Sequence, residues 1–265
     1  MPVYTDQLLR SVEIPCPPKR IISLVPSQTE LLYDLGLEDE VIGITKFCIH
    51  PELWFRNKQR IGGTKTLHLD KIRELQPDLI IANKEENVQE QVETLVLEFP
   101  VWISDVNNLQ DAFKMIEQIG CITDKQAKAK ELSTQISIAF NKYESTTESK
   151  PKTCYLIWKD PYMTIGGDTF IHSLLSYAGF DNIFAASKRY PEISIEDLKT
   201  LNCELLLLSS EPYPFQQKHI NELQQQLPGT KILLVEGEAF SWYGSRLLHT
   251  PAYLQQLQQR IAAIS

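Results

Sequence analysis

The chain has no apolar run long enough to cross a bilayer. Its longest runs, such as Leu205–Leu208, stop after a few residues, where a spanning helix needs about 20. It also has no basic excess. The 26 Lys and Arg stand against 34 Asp and Glu, a net charge of −8, which excludes a global basic field for nucleic acid. Cysteine is sparse and unpaired in pattern. Cys16, Cys48, Cys121, Cys154 and Cys203 are odd in number and far apart, and none forms a C-x-x-C pair, so neither a zinc knuckle nor a dithiol redox motif is supported. Cys121, Cys154 and Cys203 lie in apolar or strand-like contexts and read as buried, inert thiols. On this count a reducing compartment fits slightly better than an oxidising one. Met1–Arg10 has no basic stretch followed by an apolar one, so it does not read as a secretory leader. The chain is then either cytosolic or a mature form with a replacement Met. Catalytic signatures are missing too. Ser27, in Val-Pro-Ser-Gln-Thr, lacks the flanking glycines of a hydrolase elbow, and neither H-E-x-x-H nor a nucleotide fingerprint occurs. The expectation is a protein that is not an enzyme and that does not insert into a membrane.

One half of the chain rhymes with the other. Thr29-Glu-Leu-Leu-Tyr-Asp-Leu-Gly-Leu and Leu67–Asn83 parallel His172-Ser-Leu-Leu-Ser-Tyr-Ala-Gly-Phe and Ile193–Ser209. Each half runs short helix, Gly turn, loop, amphipathic helix and apolar strand. Strands are expected at 19–25, 41–45, 79–82, 101–104, 153–158, 205–208 and 232–235. Helices are expected at 30–35 with Thr29 as N-cap, then at 69–76, 88–97, 109–119, 169–178, 195–201, 216–226 and 247–264. The stretch from Lys46 to His68 reads as irregular. Alternation of this kind predicts parallel sheets with both faces covered. From Asp124 to about Ser149, Ala129, Leu132, Ile136, Ala139 and Tyr143 recur at helical spacing. A helix of that length would span about 35 Å. The fold expectation is α/β: two similar lobes with parallel central sheets, joined by one long rigid helix, with a cleft between the lobes. The boundaries are 1–123, 124–149 and 150–265. Clefts between domains are preferred ligand sites, and the matching loop ends of both lobes are expected to line this one.

Several residues admit two readings. Trp242 and Tyr243 are either ligand contacts or ordinary packing; the polar neighbours Ser241, Ser245 and Arg246 favour contact. Arg246 either faces a cleft or pairs locally. Cys48 and His50 are spaced as soft metal ligands, but a lone C-x-H without further ligands is weak support for a metal. Gly166-Gly167-Asp168-Thr169 precedes a helix. It could cradle an anion, or Asp168 or Thr169 could simply cap that helix. Gly62-Gly63-Thr64 reads as a turn.

Lys19-Arg-Ile-Ile-Ser-Leu-Val-Pro-Ser-Gln-Thr-Glu-Leu-Leu, Val41-Ile-Gly-Ile and Leu69-Asp-Lys-Ile-Arg-Glu-Leu-Gln-Pro-Asp-Leu-Ile-Ile carry a resemblance. They resemble the helical-backbone, class III substrate-binding proteins of ABC importers, the vitamin B12, haem and siderophore type. The cobalamin-binding branch is the nearest in character, and the likeness runs from about Asp6 to Ile261. It implies a ligand site at Phe47, His50, Asn83, Tyr162, Met163, Tyr190, Trp242, Tyr243 and Arg246. Two departures stand out. An aromatic is missing beside Asn83-Lys84, and Ser241 stands where an acidic residue is expected, with Glu236 and Glu238 as nearby substitutes. The resemblance also implies acidic docking points for an ABC permease, here Glu90 and Glu196, with Gln89 at the first lobe's expected acidic position. The ligand implied is a corrinoid, alternatively haem or a ferric siderophore, with no intrinsic cofactor and a monomeric protein. The compartment implied is periplasmic or extracytoplasmic. A second reading is a cytosolic chaperone or sensor for a corrinoid or metal chelate on the same fold. A third is an enzyme acting on such a ligand.

Overall fold

A computed structural model describes residues 1–143 and 150–264. The chain divides into two compact units. The first comprises Met1–Val106, Gln110–Ser137 and Trp242–Leu248; the second comprises Asn107–Leu109, Ile138–Ser241 and His249–Ser265.

The first unit opens with a hairpin, β1 (Val3–Thr5) against β2 (Ser11–Glu13), which the sequence reading did not anticipate. Its turn is built on buried Asp6, whose carboxylate accepts from the Leu8 and Arg10 amides and pairs with the Arg10 guanidinium at 2.7 Å. Then follow β3 (Ile21–Ser23), α1 (Pro26–Asp34), β4 (Val41–Ile44), α2 (Glu52–Asn57) and β5 (Gln59–Arg60). After these come α3 (Leu69–Leu75), β6 (Leu79–Asn83), α4 (Gln89–Val96), β7 (Val101–Ser104), α5 (Leu109–Ile122) and α6 (Gln126–Asn141), the last of which passes into the second unit at Ile138. The sheet is fully parallel in the order β5-β4-β3-β6-β7. β3, β6 and β7 are buried at every position, as a parallel sheet covered on both faces requires. Successive side chains alternate between the faces. Ile22, Ile80, Ala82, Val101 and Ile103 pack with Ile72 of α3 and Val92 and Leu95 of α4. On the alternate positions, Ser104 receives Gln28 of α1, which also reaches Met115 of α5.

The second unit holds β8 (Lys152–Leu156), α7 (Phe170–Tyr177), β9 (Asp181–Asn182), α8 (Ile195–Thr200) and β10 (Leu205–Ser209). It continues with α9 (Gln217–Gln226), β11 (Lys231–Val235), α10 (Gly237–Ser241) and α11 (Thr250–Ala263). Its parallel sheet has the order β11-β10-β8-β9. Read from the other edge, this repeats β4-β3-β6-β7 of the first unit strand for strand, with no counterpart for β5 among the described residues. The rhyme extends to helix ends. Gly36 (φ 79°) follows α1 and Gly179 (φ 81°) follows α7, and the next amides, Leu37 and Phe180, close back on Leu32 and Leu175. A left-handed residue at this position is what glycine supplies without strain.

Four boundaries differ from the sequence expectation. Helix α1 begins at Pro26, so Thr29 is internal. Its hydroxyl donates back to the Val25 carbonyl at 2.9 Å rather than capping. The stretch 46–68 contains α2 and β5. In α6 the buried stripe is Ala129, Ser133, Ile136 and Phe140, and its 16 residues rise about 24 Å, not 35. Residues 144–149 of the expected helix lie outside the described residues. Finally, Trp242–Leu248, expected in the C-terminal lobe, belongs to the first unit.

The second unit carries a pH-sensitive turn. His219 is 3% exposed, and its Nδ1 accepts the Gln216 amide at 2.8 Å, closing the start of α9. Burial, then the Lys159 and Lys218 charges, lower its pKa from the ordinary 6.5. Burial also lowers that of His172, whose Nδ1 lies 3.2 Å from the Asn182 amide nitrogen. Both histidines titrate below their unfolded value, so the unfolded chain binds more protons as pH falls through 6.5. Stability is therefore fully present above that pH and declines below it. Denaturant midpoints at pH 7.5 and 5.5 are expected to show this decline, and His219→Gln, which needs no protonation, is expected to flatten it.

Candidate functional site

In a parallel sheet, ligands bind at the loops beyond the carboxyl ends of the strands. In the first unit these loops follow β3, β4, β5, β6 and β7. The β4–α2 loop carries Phe47, Cys48 and His50. Phe47 is 51% exposed with the Lys46 ammonium 5.0 Å from its ring centre. Cys48 points the other way. It is fully buried, and its sulfur lies 3.1 Å from the Thr29 hydroxyl and 3.2 Å from the Thr45 hydroxyl. Burial pushes its thiol pKa up, which disfavours the thiolate a metal needs. His50 is half-buried, with its ring edge-on to Trp242 at 5.7 Å. The structure thus sends the two residues of the C-x-H pattern to different surroundings. Among the described residues no group of three or more His, Cys, Asp or Glu is placed to hold a metal ion. Of the other thiols, Cys154 and Cys203 are buried, while Cys121, expected among the buried ones, is exposed.

The segment Trp242–Leu248 is fastened along α1. Gly244 sits so close to this helix that a Cβ would lie 2.5 Å from the Ser27 carbonyl oxygen. Ser245 donates to Asp34. The Arg246 guanidinium forms a two-pronged pair with Glu30, Nε to Oε2 at 3.0 Å and a terminal nitrogen to Oε1 at 2.7 Å. Glu30 and Asp34 are one turn apart, so both face the segment. The same guanidinium lies 4.6 Å from the Trp242 ring centre. Trp242 is therefore flanked by an imidazole and a guanidinium, and both Trp242 and Tyr243 are 6% exposed. Glu30, which the sequence reading did not single out, anchors Arg246. Its partner stands 216 positions away, and no local pattern links the two.

Asn83 ends β6 and is 2% exposed. Its Nδ2 donates to the Ser104 carbonyl at 3.1 Å and hydroxyl at 2.9 Å, and its Oδ1 accepts from the Glu85 and Glu86 amides. Both donors and both acceptor positions of the amide are engaged in building the β6–α4 turn. The resemblance implied a ligand contact here; in this structure the side chain bonds the Ser104 carbonyl and hydroxyl and the Glu85 and Glu86 amides.

The corresponding loops of the second unit carry Tyr162, Met163 and Tyr190. Backbone pairing joins them: Met163 bridges both Trp158 and Glu192, and the Ile193 amide donates to the Tyr162 carbonyl. Tyr190 is 37% exposed, with the Arg189 guanidinium 5.9 Å from its ring centre. Trp158, directly beyond β8, is 40% exposed and stands edge-on to Tyr213 at 5.7 Å. It was missed as a candidate because it read as the end of a strand. The Ser241 hydroxyl donates to the Glu211 carboxylate at 2.8 Å. The Gly166-Gly167 amides donate to the Arg189 and Ser187 carbonyls, so they cradle no anion, and Thr169 caps α7. Gly62-Gly63-Thr64 does form a turn, closed by the Gly63 amide on the Thr66 carbonyl. Glu90 and Glu196 are exposed in the first turns of α4 and α8, and Glu196 pairs with Lys199 at 3.3 Å.

Each unit is built on a parallel sheet of matching strand order and presents aromatic side chains on its strand-end loops, an architecture that fits a substrate-binding protein. The family described as "Periplasmic binding protein" matches residues 21–232, and the chain belongs to that family. A Vitamin B12-binding protein of Vibrio campbellii is 31% identical over 199 residues, covering 73% of this chain and 71% of that one. The periplasmic vitamin B12 binding protein BtuF of Vibrio cholerae superposes with a TM-score of 0.76 at 21% identity, covering 93% of this chain and 99% of that one. The periplasmic heme-binding protein RhuT of Roseiflexus gives 0.75 at 18%, covering 91% and 97%. At these identities the two structures speak for the fold alone.

Proposed function

We propose that the protein captures a corrinoid and delivers it to an ABC-type permease outside the cytoplasm. The observation that carries the ligand class is the 31% identity to a vitamin B12-binding protein over nearly three quarters of the chain. The chemistry of the loops supports it. A corrinoid is a broad disc rimmed with amides, and its apolar face suits aromatic side chains while its rim suits a few fixed donors. The first unit, taken by itself, offers both in Phe47, His50, Trp242, Tyr243 and Arg246; the second, taken by itself, offers Tyr162, Met163, Tyr190 and Trp158. Asn83 is left out of this set because its amide is engaged. Haem, an apolar disc with carboxylates, and a ferric siderophore are the competing cargoes. The protein works as a monomer, holds no resident cofactor and leaves its cargo chemically unchanged.

Titration with cobalamin, cobinamide, haemin and a ferric hydroxamate, followed by absorbance and calorimetry, tests the ligand. A corrinoid Kd near or below about 1 µM, with weaker binding of haemin and siderophore, is expected. Silence from all four at tens of micromolar sinks the ligand class. Delivery is read with vesicles carrying the permease and ATPase. The double variant Glu90→Ala/Glu196→Ala is expected to bind cargo normally and to fail in delivery. Corrinoid binding without delivery by the unaltered protein would instead favour an uncoupled chaperone or sensor.

A further inference from the structure

The two-pronged pair of Glu30 and Arg246 lies wholly within the first unit. The Arg246 side chain is 24% exposed and that of Glu30 19%, so salt and water screen the pair much less than a surface one. Asp34, one turn further along α1, accepts the Ser245 hydroxyl. The segment Trp242–Leu248 thus sets one guanidinium against two carboxylates of α1.

Arg246 has little room to leave this arrangement. Its backbone is fixed two residues earlier, where Gly244 lies against the Ser27 carbonyl, and one residue earlier, where Ser245 is tied to Asp34. The guanidinium itself is held between the Glu30 carboxylate and the Trp242 ring, whose centre is 4.6 Å away.

Such a guanidinium treats two kinds of ligand rim differently. An amide oxygen asks only for an N–H group to donate to it. A carboxylate gains most from a guanidinium whose charge is not already cancelled. Here it meets a charge that Glu30 has neutralised, with the Asp34 carboxylate adding repulsion. To take Arg246 for itself, it must strip Glu30 away and leave a largely buried carboxylate uncompensated, which is strongly unfavourable.

We propose that Glu30 is a specificity-determining residue: by neutralising Arg246 it makes this part of the site accept an amide rim and reject a carboxylate rim. The proposal rests on the corrinoid reading above. Corrinoid and haem both offer a broad apolar face, so aromatic side chains alone separate them poorly. They differ at the rim, and a built-in like charge there discriminates by penalising the wrong ligand.

Calorimetric titration of the full chain with cobalamin and with its monocarboxylic acids, each carrying a carboxylate in place of one rim amide, tests this. The unaltered protein is expected to bind at least one of these acids about 10-fold more weakly than cobalamin. Glu30→Gln keeps an oxygen for Arg246 and removes the charge. It is expected to bind that acid about 10-fold more tightly than the unaltered protein does, and to bind cobalamin about threefold more weakly because Arg246 is less narrowly aimed. Haemin affinity is expected to rise with that of the acid. A residue that merely held Arg246 in place would, when replaced, weaken every ligand alike. Asp34→Asn leaves the Glu30–Arg246 pair intact and is expected to favour the acid by a smaller factor; it carries the test where Glu30→Gln does not fold. Equal affinity of the unaltered protein for cobalamin and all its acids overturns the proposal while the corrinoid reading stands. So does a parallel loss of cobalamin and acid binding in Glu30→Gln. Absence of cobalamin binding by the unaltered protein removes the corrinoid reading and the proposal together.

Discussion

Replacing Trp242 by alanine is expected to weaken corrinoid binding about 100-fold, close to 2.7 kcal/mol, and to destabilise the first unit by about 3 kcal/mol. The two losses have different origins. Trp242 is nearly fully buried, and truncating a buried indole leaves a cavity that the short Trp242–Leu248 segment cannot collapse to fill. That segment is held at three points along α1, by Gly244 against Ser27, Ser245 on Asp34 and Arg246 on Glu30. The affinity loss comes through the neighbours. His50 loses the ring it stands against, and Arg246 loses a cation–π contact worth about 1 kcal/mol in a half-buried setting. Glu30 still anchors the guanidinium, so Arg246 is retained but less narrowly aimed. Trp242→Phe keeps an aromatic face between His50 and Arg246 and is expected to recover most of both losses. Denaturant unfolding gives the stability change, and calorimetry on the folded variants gives the affinity change. If stability falls while affinity holds, Trp242 is a packing residue and the ligand lies elsewhere.

The alternation of strands and helices was legible because fully buried parallel strands read as apolar runs, such as Leu205–Leu208 and Leu79–Ala82. The internal repeat was legible for the same reason, and its exact form, β4-β3-β6-β7 matched by β9-β8-β10-β11, explains why both halves carry helix–glycine–apolar endings. What escaped has a physical cause in each case. Helix α2 buries Trp54 alone, and six residues with one anchored position show no periodicity. Strand β5 is two polar residues whose place is set by pairing with Gly43 and Ile44. The hairpin β1–β2 depends on one buried carboxylate at its turn, not on a hydrophobic pattern. The allegiance of Trp242–Leu248 to the first unit rests on Glu30, Asp34 and Ser27, all more than 200 positions away. Chain order alone would never assign it. Asn83 is the instructive exception. An asparagine at a strand end, followed four positions later by Asn87, is a local turn signal, which stands beside the ligand contact that the family resemblance implies.

Asn83→Ala is the variant that separates these two views of the same residue. It is expected to destabilise the first unit by about 2–4 kcal/mol and to leave corrinoid affinity unchanged within about twofold. The alanine removes two donors from Ser104 and two acceptors from the Glu85 and Glu86 amides. Ser104 is the hub of a buried network. Its hydroxyl also accepts from Gln28 and donates to the Ala82 carbonyl at 3.2 Å, and the Asn87 side chain accepts the Asn83 amide and reaches the Leu24 and Thr64 carbonyls. Such networks cost most when half-satisfied, and here the orphaned groups, the Ser104 carbonyl of β7 and the Glu85 and Glu86 amides after β6, sit inside it. Asn83→Asp tests the donors alone. It preserves the acceptor for the Glu85 and Glu86 amides but turns a carboxylate oxygen towards the Ser104 carbonyl, so it should destabilise although it is the same size. A ligand-contacting asparagine would behave in the opposite way: the fold would tolerate alanine and the affinity would fall. Melting curves of both variants, with titrations run well below their midpoints, distinguish the two outcomes. A stable Asn83→Ala protein that binds corrinoid poorly would return Asn83 to the ligand site and remove the turn-building role argued for it.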